Sequence, residues 1–172
     1  SVGGWYNLDK SLEFVNLLYN KIDLEFIIFN NNQHNEINKT INKKNYKFKI
    51  FLESIDYKDI NIKLEYVDIG IFLIDPTPSK IASCPTKMGE FLSKGIYCVT
   101  NSGIGDSKEI LDLYNSGIIL NNFKSDELIL KSKQLINLIR NNNINANNSR
   151  KKAEEFLNLK KGVKELFKIY EY

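Results

Sequence analysis

Four short apolar runs, each followed by a polar turn and a stretch of helical spacing, constrain this chain more than any other feature. They are LEFIIF (Leu24 to Phe29), IGIFLI (Ile69 to Ile74), IYCVT (Ile96 to Thr100) and GIIL (Gly117 to Leu120). YKFKIFL (Tyr46 to Leu52), with Tyr46, Phe48 and Ile50 alternating, makes a fifth strand. Short continuous apolar runs fit strands covered on both faces. Strands alternating with helices of about ten residues imply βαβ units and a mainly parallel sheet. The expected fold is therefore α/β, a Rossmann-like doubly wound parallel sheet with flanking helices, in one domain spanning residues 1–172. Such sheets bind ligands at the carboxyl ends of their strands, near a switch in strand order.

The helices follow from apolar spacing. Leu8, Leu12, Val15, Leu17, Leu18 and Ile22 define the first, with Asn7 or Asp9 as its cap. Further helices are expected at Gln33 to Asn42, Tyr57 to Asp68, Pro85 to Lys94, Ser107 to Asn115, Ser125 to Asn141, Asn147 to Asn158 and Lys160 to Tyr172. The opening SVGGWYNL is a glycine turn of the kind that follows a strand. In an open doubly wound sheet the first strand is central, and its absence would leave unpaired backbone groups. The chain is accordingly expected to be a piece of a longer protein.

Composition excludes several classes. A net charge of +3 on 172 residues, with Lys and Glu interspersed, is no nucleic-acid footprint. The two cysteines, Cys84 and Cys98, form no C-x-x-C pair and no disulfide framework, which fits a reducing cytoplasm. The single histidine, His34, reads as a surface imidazole, and no zinc-ligand spacing is present. No segment reaches the roughly 18–20 apolar residues of a membrane span. The basic stretch RKKAEEFLNLKKGVKELFK (Arg150 to Lys168) reads first as a solvated helix face, with peripheral contact to anionic lipid at the inner face of the membrane as the secondary reading.

The chemistry concentrates between Asp68 and Ile110. Pro85 suits a helix start, because its missing N–H would have been unpaired there. The amides of Thr86 and Lys87 then lack intrahelical partners and face the rim, where the helix dipole favours an anion. Lys87 in a first turn opposes that dipole by roughly 0.3–1 kcal/mol unless an anionic ligand reverses the sign. Glu90 shares its face at i+3, so the two can pair with each other or with a ligand. A carboxylate here can accept both hydrogen bonds of a ribose diol. The turns VGGW and SGIGD (Ser102 to Asp106) also begin helices on this rim and allow close backbone approach to phosphate. Neither has the dinucleotide fingerprint spacing, which disfavours a dehydrogenase. Trp5 and Tyr6 read as residues that stack on a base or line a sugar pocket, and at least as well as core packing or a contact with a partner domain.

The string VDIGIFLIDPTPSKIASCPTKMGEFLSKGIYCVTNSGIGDSKEI (Val67 to Ile110) resembles the donor-binding, C-terminal half of GT-B glycosyltransferases of the glycosyl transferases group 1 family. AEEFLNLKKGVKELFKIY (Ala153 to Tyr170) is similar to that family's closing helices, and SVGGWYNLDKSLEF to its first glycine turn and helix. The resemblance implies the second of two Rossmann-like domains facing a cleft, with an N-terminal acceptor-binding domain as partner. It places the ribose-binding carboxylate on Glu90 and a lysine stabilising the leaving diphosphate on Lys87. Gly3, Gly4, Lys80, Ser83, Thr86 and Gly103 complete the implied donor-binding set. It implies no metal and no cofactor, the nucleoside diphosphate sugar being the donor substrate. Two departures stand out. The first Glu of the family's E-x7-E pair falls on Ala82, and its Arg and Lys after the first glycine turn fall on Ser1 and Tyr6.

The function expected from this resemblance is the donor-binding domain of a hexosyltransferase-like enzyme. Such an enzyme passes a sugar, with retention, to a glycan or lipid-linked acceptor in bacterial polysaccharide biosynthesis. The isolated chain should bind nucleotide without transferring sugar. Two alternatives are a GT-B-like sugar-nucleotide epimerase, which needs further acid–base residues, and a non-catalytic module whose site has decayed at Ser1, Tyr6 and Ala82. A glycoside hydrolase is disfavoured by the lack of an evident carboxylate pair.

Overall fold

The structure, a computed structural model, describes residues 4–170. It is mixed α/β, with short parallel sheets flanked by helices. Its strands are β1 (Phe26–Phe29), β2 (Ile50–Glu53), β3 (Ile69–Ile71), β4 (Tyr97–Asn101) and β5 (Gly117–Leu120). The helices are α1 (Leu8–Tyr19), α2 (His34–Asn42), α3 (Ile60–Lys63), α4 (Pro78–Ile81), α5 (Thr86–Ser93), α6 (Ser107–Leu113), α7 (Ser125–Arg140), α8 (Ala146–Phe156) and α9 (Leu159–Tyr170).

Alternation along β4 builds two cores. Tyr97 and Val99 point to one face, where they meet Phe14 and Leu18 of α1 and Leu128, Leu135 and Ile136 of α7. Cys98 points to the other, against Met88 and Leu92 of α5, Ile110 and Leu111 of α6 and Ala153 of α8. Ile118 and Leu120 of β5 join the first core and Ile119 the second, so the larger sheet is covered on both faces as its sequence requires. Polar atoms at the strand ends are satisfied. Thr100 Oγ1 donates to the Phe72 carbonyl at 2.8 Å, and the Asn101 amide both accepts from Ile74 N–H at 2.8 Å and donates to Ile74 O at 2.9 Å.

The parallel pairing agrees with the expected α/β fold, and the pairing into one continuous sheet is not seen among the described residues. Five strands form two sheets, β1–β2 and β3–β4–β5, all paired in parallel. Between them lies a cavity of about 970 Å³ lined by both Phe26–Phe29 and Ile69–Ile71. Phe26, Ile27 and Phe29 beside it are only partly buried, unlike the fully covered strand their apolar run predicts.

Other boundaries shift for local reasons. β2 begins at Ile50 rather than Tyr46, because Tyr46 and Phe48, with ring centroids 5.2 Å apart, tuck beneath Leu12 and Val15 of α1. The helix expected over Tyr57 to Asp68 breaks into α3 between two single 3-10 turns, with Leu64 its one buried anchor. So little burial cannot offset the cost of a long helix. Pro85 is the residue before α5 rather than its first residue, since its ψ of 116° is still extended. The PTPSK loop contains α4, opened by Pro78. His34 is half-buried and its Nε2 lies against the Asn30 carbonyl, so it is no free surface imidazole. No helix among the described residues is long and apolar enough to cross a membrane.

Candidate functional site

Asn7 caps α1 through a bond from the Lys10 amide, 3.1 Å, and ties the opening segment to the end of β3. Its own amide donates to Leu73 O at 2.9 Å, the Asp75 amide donates to Trp5 O at 2.8 Å, and Asn7 Nδ2 donates to Asp75 Oδ1 at 2.7 Å. Tyr6 and Ile74 thereby form an antiparallel bridge, which fixes Tyr6 at the mouth of the cavity.

α5 is seated by Phe91. Its ring covers Gly70 so closely that a Cβ there would lie 2.2 Å from a ring carbon. Lys87, Glu90 and Phe91 stand at i, i+3 and i+4 on one helix face, so docking Phe91 on β3 turns Lys87 and Glu90 towards the same cavity. The amides of Thr86 and Lys87 begin the helix and make no intrahelical bond, as expected; the first ladder bond is Met88 N–H to Pro85 O at 3.0 Å. Lys87 and Glu90 do not pair. The Lys87 ammonium lies 3.6 Å from the centroid of the Tyr6 ring, and the half-buried Glu90 carboxylate makes no ion pair among the described residues.

A second cluster adjoins the first. The Lys80 carbonyl accepts from Gly105 N–H at 3.0 Å, Ser83 N–H at 3.2 Å and Ser83 Oγ at 2.9 Å, locking the glycine turn onto the α4–α5 loop. A Cβ on Gly105 would stand 2.1 Å from the Ser83 carbonyl oxygen, and its φ of +43° also favours glycine. Gly103 is exposed beside Pro76, and the Lys80 ammonium sits 5.1 Å from the Trp5 ring centroid. Desolvation and then the Asp106 carboxylate push the Cys84 thiol up, which leaves it a poor nucleophile near neutral pH.

The structure thus brings Lys87, Glu90 and Tyr6 together at one cavity mouth and gathers Lys80, Ser83 and Gly103 beside it. Thr86 is exposed at the start of α5 and Gly4 is exposed in open space, while Gly3 and Ser1 lie outside the described residues. Sequence reasoning missed Asp75, which with Asn7, Asp9, Gln33 and Glu36 lines an adjoining hollow of about 310 Å³. An Asp directly after an apolar strand run was the available signal. Asn7 was legible only as a cap. The described residues hold no group of three or more His, Cys, Asp or Glu placed to share a metal ion.

No protein-family model matches the chain, and no curated protein matches it.

Proposed function

We propose that this chain is the donor-nucleotide-binding domain of a GT-B glycosyltransferase, working with an acceptor-binding domain on a longer polypeptide. The observation that carries the reading is the shared outlook of Lys87 and Glu90 at the carboxyl end of a parallel strand, in a segment that resembles the family's donor-binding motif. A cation beside an unpaired carboxylate suits a nucleoside diphosphate, which offers a ribose diol to the acid and a dianionic leaving group to the base.

In this reading Glu90 accepts from both ribose hydroxyls. Lys87 and the free amides of Thr86 and Lys87 hold the diphosphate, stabilising the charge that develops as the bond to the sugar breaks. No metal is needed for that step. Lys80 and the backbone of Gly4, Ser83 and Gly103 lie along the same rim and extend the phosphate-binding surface. Tyr6 is half-buried against Lys87, so phosphate competes with its ring for the ammonium.

The test is calorimetric titration of the folded chain with UDP, GDP, ADP, CMP and uridine. Saturable binding of one nucleoside diphosphate, with the corresponding sugar nucleotide competing, is the expected result. Equal or absent binding of all five by a folded chain would overturn the proposal.

A further inference from the structure

The positive charge of the chain is gathered in α8 and α9. Arg150 to Lys168 carries seven Lys or Arg against three Glu, an excess of four, whereas the whole chain is only +3. Everything outside that stretch is therefore slightly acidic, and the basic field is local. α9 sorts its residues onto two faces. At about 3.6 residues per turn, Leu159, Val163, Leu166, Phe167, Ile169 and Tyr170 fall on one side, and the four lysines with Glu165 on the other. Each of those six apolar residues is between 40% and 80% exposed. No α9 side chain enters a core cluster.

Such a helix needs cover. Asn158 starts it by accepting from the Lys161 amide at 3.2 Å. Twelve residues that include Gly162, with Lys160 four before Lys164, are marginal as a helix in water. The charged side says what the cover is. Glu165, the one acid of α9, is taken by Lys168 at 2.7 Å. Lys160, Lys161 and Lys164 make no ion pair among the described residues. Lys160 and Lys164 border the apolar side next to Phe167, so unpaired cations edge an apolar stripe. That pattern matches the boundary between acyl chains and anionic headgroups, where lysine stems reach outwards and aromatic rings are at home. A second copy of α9 fits less well, because an antiparallel pair would set the Lys160–Lys164 edge against itself.

We propose that α9 lies in the plane of an anionic lipid bilayer, with Leu159, Val163, Leu166, Phe167 and Tyr170 among the acyl chains and Lys160 and Lys164 at the headgroups. It rests on the surface and does not span it, since no helix among the described residues is long and apolar enough to cross. Nucleotide binding at Lys87 and Glu90 plays no part in this contact.

The experiment is flotation of the full chain with vesicles made of equal parts phosphatidylglycerol and phosphatidylcholine, and with vesicles of phosphatidylcholine alone. Binding to the anionic vesicles only is expected. Leu166→Ser with Phe167→Ser should weaken it about tenfold or more, and Lys160→Gln with Lys164→Gln about fivefold for each lysine. All four side chains are exposed, so these variants should keep the parent's Tm. Phe167→Trp supplies a second reading. Quenching by brominated acyl chains is expected in that variant and not in the parent, whose single tryptophan is Trp5. Equal binding to both kinds of vesicle, binding to neither, binding that the apolar substitutions leave unchanged, or no quenching in Phe167→Trp would each overturn the proposal. So would a stable dimer that Leu166→Ser with Phe167→Ser dissolves and that ignores vesicles.

Discussion

The ammonium of Lys87 rests 3.6 Å from the centre of the Tyr6 ring. A cation held on an aromatic face at the start of a helix is satisfied by the ring and disfavoured by the dipole, so an arriving anion gains a partner at little cost. This pairing frames the predictions for the site.

Lys87→Ala is expected to weaken a nucleoside diphosphate far more than the matching nucleoside, and Glu90→Ala to weaken both alike. Loss of one charge-assisted hydrogen-bonding group is worth about 1.5–3 kcal/mol, or roughly 10-fold to 150-fold in Kd. Calorimetry on the two variants decides it. Equal losses of diphosphate and nucleoside in Lys87→Ala would remove the phosphate role.

Gly105→Ala should destabilise the fold by about 1–3 kcal/mol, because the new Cβ meets the Ser83 backbone 2.1 Å away in a left-handed backbone region. Gly162→Ala in α9 meets open space and replaces a helical glycine, so it should be neutral or stabilising by up to about 1 kcal/mol. Urea unfolding of both variants measures the contrast. A Gly105→Ala midpoint equal to that of the parent would show that the turn is not locked to the α4–α5 loop.

The two thiols should behave differently. Cys84 is exposed and Cys98 is fully buried in the second core, so a thiol reagent should titrate one equivalent in the native protein and two in denaturant. Burial pushes the Cys98 thiol far above its ordinary value of 9.0. The folded state then favours the protonated form, and its stabilising contribution is complete below about pH 9 and lost as pH rises above it. Native stability should decline above pH 9 by up to about 1.4 kcal/mol per pH unit from this group, and Cys98→Ala should flatten that slope. An unchanged slope in the variant would rule Cys98 out as its source.

Local stability should be graded. Every residue of β4 is buried, whereas α9 buries none and leaves Leu166, Phe167 and Tyr170 exposed. Hydrogen exchange is expected to be slowest in β4 and fastest among the helices in α9. Comparable protection in α9 would mean that its apolar side is covered in solution.

Strands with dense apolar patterning were the most legible part of the fold. GIIL became β5 at its stated limits and IYCVT shifted by one residue, because both faces of these runs are packed and no other conformation hides them. Tyr46 to Lys49 misled because their aromatic alternation serves packing under α1, not a ladder. In the candidate site, the common face of Lys87 and Glu90 was legible because a helix start fixes that geometry locally. The rest was illegible where contacts join distant segments: nothing near Gly105 in sequence announces the Lys80 carbonyl, and nothing near Asn7 announces Asp75.

The measurement that tests the central claim most directly is a map of backbone amide shifts in the ¹⁵N-labelled chain during titration with nucleoside diphosphate. The account predicts saturable shifts at Thr86, Lys87 and Glu90, with Tyr6 and Asn7 following as the ammonium leaves the ring, and their loss in Glu90→Ala. A well-dispersed spectrum that no diphosphate alters, or shifts gathered away from the mouth formed by α5 and Tyr6, would contradict it.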